Sequence, residues 1–126
     1  MGGMERRRHS REQLYGDEQE CIVFCLGKEY EGRVYDISKC GLCIEVDVPS
    51  NRLLKGRCIE IQSSYTGMDD EVQIVYARGT IVYSDEASWG ARIIGVESYS
   101  TDLSTWVENV RTKRFMSKIR SQMKAG

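Results

Sequence analysis

Apolar residues concentrate in six short segments of the chain, and these segments are rich in β-branched and aromatic residues, which favour strands. The segments span residues 20–26, 31–37, 42–46, 57–61, 72–83 and 89–94. Turn-forming residues separate them, as in Gly27-Lys28 and Pro49-Ser50-Asn51. Six short strands at this spacing predict a mainly β fold, a six-stranded antiparallel β-barrel that is closed or nearly closed.

After residue 100 the spacing of the apolar residues changes to that of a helix. Four of them share one helical stripe: Leu103, Trp106, Val107 and Val110. Ser100 or Thr101 is suited to cap the start of this C-terminal α-helix. We expect the first half of the helix to cover one opening of the barrel.

The second half of the predicted helix is basic and extends past the barrel. It carries four apolar residues: Phe115, Met116, Ile119 and Met123. Three of them continue the apolar pattern at a spacing of four, and the cations around them suit a helix C-terminus. Two interpretations stay open, a solvated tail and a surface that docks a partner or self-associates.

The length of 126 residues fits one domain with a core of its own. Residues 1–16 hold few apolar side chains and end at Gly16, which predicts a flexible arginine-rich arm. The barrel is predicted over residues 17–99, and an amphipathic helix with a basic tail over residues 100–126. No stretch approaches the ~20 apolar residues that a membrane span needs, and the N-terminus lacks an apolar signal region.

The net charge of −1 hides an uneven distribution. Residues 1–11 carry a net charge of +3, residues 111–126 carry +6, and the segment between them carries −10. An acidic body repels nucleic acid, whereas the basic arm is able to fold over an anionic ligand or over the acidic surface of its own chain. We therefore expect no nucleic acid among the partners.

Five cysteines, an odd number, argue against a disulfide framework, so we expect reduced thiols and a cytoplasmic location. The spacings Cys21-x-x-x-Cys25 and Cys40-x-x-Cys43 also fit zinc ligands. However, alternation places the first pair on one strand face with Val23 and points the second pair to opposite faces. We expect no metal and no cofactor.

A cluster of arginines near the N-terminus forms the first candidate motif. Residues 6–11 read Arg-Arg-Arg-His-Ser-Arg, and the guanidinium groups belong to Arg6, Arg7, Arg8 and Arg11. Planar guanidinium groups can hold phosphate and the acceptor edge of guanine, and their faces stack on purine rings. The alternative interpretation is a disordered basic arm, or one that binds nucleic acid generally.

The second candidate motif, Asp-Ile-Ser-Lys-Cys-Gly, occupies residues 36–41. Asp36 can accept hydrogen bonds from the donor groups of guanine, and Ser38 can donate or accept. Gly41 permits a positive φ or a close approach of a ligand to the backbone. Asp36 and Ser38 are equally suited to fix a tight turn, and the two roles are compatible. Together the two motifs suit an anionic purine nucleotide.

The two motifs in this order resemble those of the PilZ domain family. Arg7 and Arg11 match an Arg-x-x-x-Arg pattern, and Asp36, Ser38 and Gly41 match Asp-x-Ser-x-x-Gly in full. The resemblance covers residues from about 5 to about 110 and departs at residues 95–98, Gly-Val-Glu-Ser, where the family usually carries an arginine and an aromatic residue after the Gly-Val.

This resemblance implies binding of the bacterial second messenger cyclic di-GMP. In the family, an arginine just before the first motif arginine accompanies binding of an intercalated ligand dimer, and Arg6 fills that place here. The expected function is therefore a receptor that orders its arm over the ligand and signals to a protein partner that the sequence does not identify. It is expected to sense and not to catalyse.

Other residues point less clearly to chemistry. His9 is the only histidine and lies in the arm without a visible partner, so no catalytic triad is expected. Trp89 is predicted at the core or rim, with a role as a ligand wall as the alternative. Two rival functions remain, a small barrel that binds RNA or single-stranded DNA and a protein-interaction barrel that works through its C-terminal helix.

Overall fold

The structure is a computed structural model of the chain and describes residues 12–13, 19–48 and 52–125. The predicted ligand-binding arginines Arg6, Arg7, Arg8 and Arg11 lie outside the described residues. Within those ranges the elements are, in chain order, β1 (Glu12–Gln13), β2 (Gln19–Cys25), β3 (Lys28–Ser38), β4 (Gly41–Val46), β5 (Cys58–Thr66), β6 (Val72–Glu86), β7 (Arg92–Glu97) and α1 (Thr101–Ala125).

Strands β2 to β7 form a closed antiparallel barrel, which confirms the predicted fold. Around the barrel the order is β3, β2, β5, β6, β7, β4, and β4 pairs with β3 to close the ring. Each neighbouring pair in the ring is antiparallel. Closure satisfies the backbone groups that an open sheet would leave at its edges.

Several strands extend beyond their predicted ends because polar residues on the solvent face continue the pairing. β3 begins at Lys28, directly after a two-residue turn in which Leu26 and Gly27 have φ values of 51° and 76°. Positive φ at both central residues gives the tight hairpin turn that matches strand twist. Pairing therefore starts at once, with Cys25 opposite Lys28.

The strands alternate buried and exposed residues, and their inward faces form one core. On β2, Cys21, Val23 and Cys25 are buried, as alternation predicts, whereas Ile22 points outward. Burial, followed by the charge of Asp47, raises the pKa of the Cys21 thiol to about 12. Cys21 is therefore a protonated core residue at neutral pH.

One element was not predicted, the short strand β1 in the N-terminal arm. It pairs with the end of β3, with Glu12 opposite Ile37 and Gln13 opposite Asp36. β2 reaches along β3 only as far as Val34, which lies opposite Gln19. β1 therefore pairs with the last part of the β3 edge, which β2 leaves unpaired.

The first half of α1 covers one opening of the barrel, as the sequence predicts. Leu103, Trp106 and Val107 are buried in the core, and the Trp106 ring stacks on Tyr65 with a centroid distance of 5.8 Å. Ser100 precedes the helix, but its hydroxyl donates to the carbonyl of Tyr76 at 2.8 Å. This bond fastens the start of the helix to β6.

Candidate functional site

The second sequence motif forms the hairpin turn between β3 and β4. Ser38 ends β3, Lys39 and Cys40 make the turn, and Gly41 begins β4. Ser38 is only 2% exposed. Its hydroxyl accepts a hydrogen bond from the amide of Cys40 at 3.4 Å and donates to the carbonyl of Gly41 at 3.5 Å. The serine thus fixes the turn, which is one of its two predicted roles.

Gly41 is required by packing and not by its own dihedral angles. The glycines with positive φ among the described residues are Gly27, Gly56 and Gly90. A Cβ atom on Gly41 would lie 2.5 Å from the carbonyl oxygen of Val96 on β7. The close approach at this glycine is therefore to a neighbouring strand, which holds the start of β4 in place.

The end of β7 supports the same turn from behind. The amide of Ser98 donates to the carbonyl of Cys40 at 2.9 Å, and its hydroxyl donates to the carbonyl of Arg78 at 2.8 Å. Ser98 is 2% exposed. It lies in the Gly-Val-Glu-Ser segment, where the sequence departs from the usual family pattern. Its bond to the motif turn comes from the backbone and does not depend on this departure, whereas its side chain bonds β6.

A β-bulge sets the position of Asp36. The register of β3 against β4 shifts between Val34 and Asp36, which leaves Tyr35 as the extra, exposed residue. Beyond the bulge Asp36 lies opposite Cys43, half-buried on the outer face of the barrel, while its neighbour Ile37 is fully buried. Bulges redirect side chains in this way, often beside binding sites.

Next to Asp36 the outer surface of the barrel contains a covered cysteine and a flat aromatic ring. Cys43 lies opposite Gly95 of β7, and Gly95 lies opposite Tyr83 of β6. The Tyr83 ring occupies the space that a side chain on Gly95 would fill, and its hydroxyl donates to the sulfur of Cys43 at 3.2 Å. This row of side chains was not predicted from the sequence, although a glycine inside a strand signals a close approach of this kind.

Trp89 marks the other end of this outer surface. It belongs to the turn between β6 and β7, is 66% exposed, and donates its indole N–H to a carboxylate oxygen of Glu45 at 2.8 Å. Glu45 lies two residues beyond Cys43 along β4, about 7 Å away. Trp89 is therefore a rim residue, on the face that also carries Asp36.

The motif turn also contacts the C-terminal helix. The ammonium group of Lys39 lies 3.2 Å from a carboxylate oxygen of Glu108 on α1. Glu108 is also 3.7 Å from Arg111. The helix contacts β1 as well. The helix thus contacts both the turn and the described part of the arm. The sequence did not reveal this arrangement because the residues are far apart along the chain.

The structure brings Asp36, Ser38 and Gly41 together and places Trp89 on the same outer face. Within the described ranges no group of three or more His, Cys, Asp or Glu side chains is arranged to hold a metal ion. In that part of the chain no helix is both long and apolar enough to cross a membrane. The assembled groups are a carboxylate and exposed aromatic rings, which are able to bind a ligand through hydrogen bonds and stacking.

Comparisons with known proteins agree with this geometry. The chain is similar in structure to the PilZ domain with c-di-GMP of YcgR from Escherichia coli, with a TM-score of 0.62, 13% sequence identity, and coverage of 95% of this chain and 97% of that one. It is also similar to the Bacillus subtilis inhibitor of motility MotI/DgrA, with a TM-score of 0.65, 12% identity, and coverage of 94% of this chain and 52% of that one. No curated protein matches the sequence significantly.

The sequence profile of one domain family matches residues 5–108, which is most of the chain and includes both motifs. The closed barrel and the position of the Asp-Ile-Ser-Lys-Cys-Gly turn fit the same family. The chain belongs to the PilZ domain family.

Proposed function

We propose that this protein is a receptor for cyclic di-GMP. The observation that carries the proposal is the pairing of β1 with the end of β3, which sets Gln13 opposite Asp36. Arg11 directly precedes β1 in the sequence, so the chain itself connects the arginine motif to the motif turn. The YcgR domain, with a structure similar to this one, is described with the same ligand.

The proposed contacts divide between the two motifs. Arg7 and Arg11 hold the phosphates and the acceptor edge of guanine with their planar forks, and Arg8 adds positive charge. Asp36 accepts hydrogen bonds from the donor groups of a guanine. Ser38 contributes by fixing the turn, since its hydroxyl is already bonded within it.

The ligand is proposed to lie over the outer surface between the motif turn and Trp89. Tyr83 and Trp89 expose ring faces there, and purines stack favourably on such faces. We propose Trp89 as a ligand wall because its bond to Glu45 holds an exposed ring at the edge of this surface. A ring held in place loses less freedom when a base stacks on it.

We further propose that the ligand binds as an intercalated dimer. Arg6 is the residue that would reach the second nucleotide, through a charge-assisted contact and a cation-π face. The unmodified protein should then bind about two ligand molecules per chain, and Arg6→Ala about one, with Arg7 and Arg11 retaining the inner molecule. Sedimentation equilibrium or calorimetry at saturating ligand measures this ratio; one molecule per unmodified chain would contradict the dimer.

The signal is proposed to pass to a protein partner in the cytoplasm. Ligand binding orders the arm, and the turn and arm both contact α1, through the Lys39–Glu108 ion pair and through β1. A change at the ligand site therefore alters a helix surface that a partner can read. One protein of similar structure is named an inhibitor of motility, and inhibition of motility likewise requires an effect on other components of the cell. The five free cysteines suit a reducing compartment.

Calorimetric titration with three ligands tests the function. We expect cyclic di-GMP to bind, and GTP and a single-stranded oligothymidylate to give no comparable heat, because of the three only the cyclic dinucleotide presents two guanines beside two phosphates. Tight binding of the oligonucleotide without binding of cyclic di-GMP would favour the nucleic-acid function instead.

Replacing one motif arginine separates recognition from general charge. Arg7→Lys keeps the charge but loses the planar fork, so it should weaken cyclic di-GMP nearly as much as Arg7→Ala. Full binding by Arg7→Lys would mean that the arm acts only through its positive charge. Lys55→Ala, which removes an exposed charge from the loop before β5, is the control and should leave affinity unchanged.

A further inference from the structure

The apolar faces of the two halves of α1 point in nearly opposite directions. Leu103, Trp106 and Val107 face the barrel and are buried, whereas Phe115 and Met123 are 62% and 76% exposed. A spacing of four residues advances the apolar stripe by about 40° at each step, because a helix repeats every 3.6 residues. Over several steps the stripe winds from the barrel side to the solvent side, so the predicted continuation at spacing four turns away from the core.

This exposed half is basic as well as apolar. The apolar residues are Phe115, Met116, Ile119 and Met123, of which Ile119 is half-buried and the others exposed. Lys118 and Arg120 are exposed on either side of them, and residues 113–124 contain no acidic residue. We call residues 113–125 the tail helix. Because the helix is continuous through Ala125, the tail helix cannot turn its apolar face onto its own barrel without breaking.

A cleft with the complementary character lies on the outside of the same barrel. It has a volume of about 640 Å³ and borders β2, β3, β5 and the start of β6. Three carboxylates line it, those of Glu20, Glu31 and Asp47, together with one cation, Arg33, so its charged side chains sum to −2. Two apolar side chains, Ile22 and Ile74, also line it and are 36% and 60% exposed. The cleft is thus acidic and apolar, as the tail helix is basic and apolar.

We propose that the tail helix of one copy docks in the cleft of a second copy. Opposite charges and matching apolar side chains favour this occupant. Because the tail helix faces away from its own barrel, a second copy of the chain must supply the docked helix. The contact is proposed to form twice in a two-fold dimer, each copy donating its tail helix to the other. One tail helix in one cleft buries little surface for a stable interface. The reciprocal arrangement doubles the buried area and closes the assembly.

This proposal does not rest on cyclic di-GMP binding. The cleft borders β2, the middle of β3, β5 and, through Ile74, the start of β6, whereas the proposed ligand surface runs from the end of β3 over β4 and β7 to the end of β6. Dimerisation is therefore expected in the ligand-free protein.

Sedimentation velocity of the full chain across micromolar to millimolar concentrations is the first test. We expect a reversible monomer–dimer equilibrium. The double variant Lys118→Glu with Arg120→Glu should weaken dimerisation at least about tenfold, because two glutamates then face the carboxylates of the cleft. Phe115→Ser should weaken it by a similar factor. Lys28→Glu with Lys55→Glu makes the same charge change on exposed residues away from the tail helix and should leave the equilibrium unchanged.

A charge exchange identifies the cleft as the acceptor. Glu31→Lys with Asp47→Lys should also lose dimerisation, and mixing this variant with the tail-helix charge variant should restore a mixed dimer. Circular dichroism on each variant alone checks that the fold is intact.

Three results would overturn the proposal. The unmodified protein could stay monomeric throughout, or the two charge variants could fail to associate with each other although each is folded. The third is a monomer whose tail helix binds anionic vesicles of phosphatidylglycerol and phosphatidylcholine, with the binding lost in the Lys118 and Arg120 variant.

Discussion

Two hairpin turns border the proposed ligand surface, and they are built in different ways. The β3–β4 turn is tightly packed: Ser38 is 2% exposed, and Gly41 lies against the backbone of β7. The β6–β7 turn is open: Trp89 is 66% exposed, and Gly90, at φ +90°, has free space around its Cα. The difference separates two tasks. The packed turn holds hydrogen-bonding groups in fixed positions, and the open turn presents an exposed ring, held by its bond to Glu45, on which a base can stack.

Replacing one glycine by alanine in each turn should show the largest difference between the turns, in the free energy of unfolding. Gly41→Ala forces a Cβ against the carbonyl of Val96, and we expect a loss of about 3 kcal/mol in the free energy of unfolding, the upper end of the cost of overpacking. Gly90→Ala meets no atoms and loses only its favoured φ, which costs about 1 kcal/mol. Urea denaturation measures both, and equal losses would mean that the two turns are equally constrained.

Removing one carboxylate beside each turn should separate the roles of the two turns in binding. Asp36→Ala should weaken cyclic di-GMP by about 1.5–3 kcal/mol, the value of a hydrogen bond to a charged group, or roughly tenfold to a hundredfold. Asp85→Ala, at the exposed end of β6 beside the open turn, is the control and should change affinity little. Unchanged calorimetric affinity for a folded Asp36→Ala protein would remove this carboxylate from the ligand site.

Trp89 tests the open turn in the same titration. Trp89→Ala removes a stacking face and should weaken binding by about 1 kcal/mol, the lower end for a base on an aromatic ring, because the exposed ring is partly solvated. Trp89→Phe keeps a ring and should recover most of the loss. If both variants bind like the unmodified protein, the ligand does not extend to this turn.

The smallest effect is expected on cysteine reactivity. Cys40 lies half-buried in the packed turn, and Cys58 is exposed at the start of β5. Bound ligand should slow alkylation of Cys40 a few-fold and leave Cys58 unchanged. Cys21 should stay unmodified below pH 9 in the folded protein, since its pKa of about 12 leaves almost no thiolate. Mass spectrometry of the labelled peptides reports all three; rapid labelling of Cys21 would contradict its burial.

The sequence predicted the barrel and the packed turn because both depend on local patterns. Alternation of buried and exposed residues follows from strand geometry, and the spacing of Asp36, Ser38 and Gly41 lies within one hairpin. β1 was not predictable in this way. Glu12 and Gln13 are polar, and only their pairing with β3 makes them a strand.

Other features depend on contacts between distant residues. The Tyr83 ring over Gly95 joins β6 to β7 across a bulge, and the Lys39–Glu108 ion pair spans most of the chain. The winding of the apolar stripe along α1 was present in the sequence, since a spacing of four exceeds the helical repeat. Recognising that it turns away from the core required knowing which side of the helix the barrel occupies.

Two-dimensional NMR of the ¹⁵N-labelled protein tests the proposed ligand site most directly. We expect cyclic di-GMP to shift the amide signals of residues 36–41, in and beside the packed turn, together with those of Cys43, Tyr83 and the indole N–H of Trp89. Signals from Glu31, Asp47 and Lys118 should stay in place at a concentration where the protein is monomeric. Shifts confined to those last residues, or no shifts in the packed turn at saturating ligand, would contradict the proposed site.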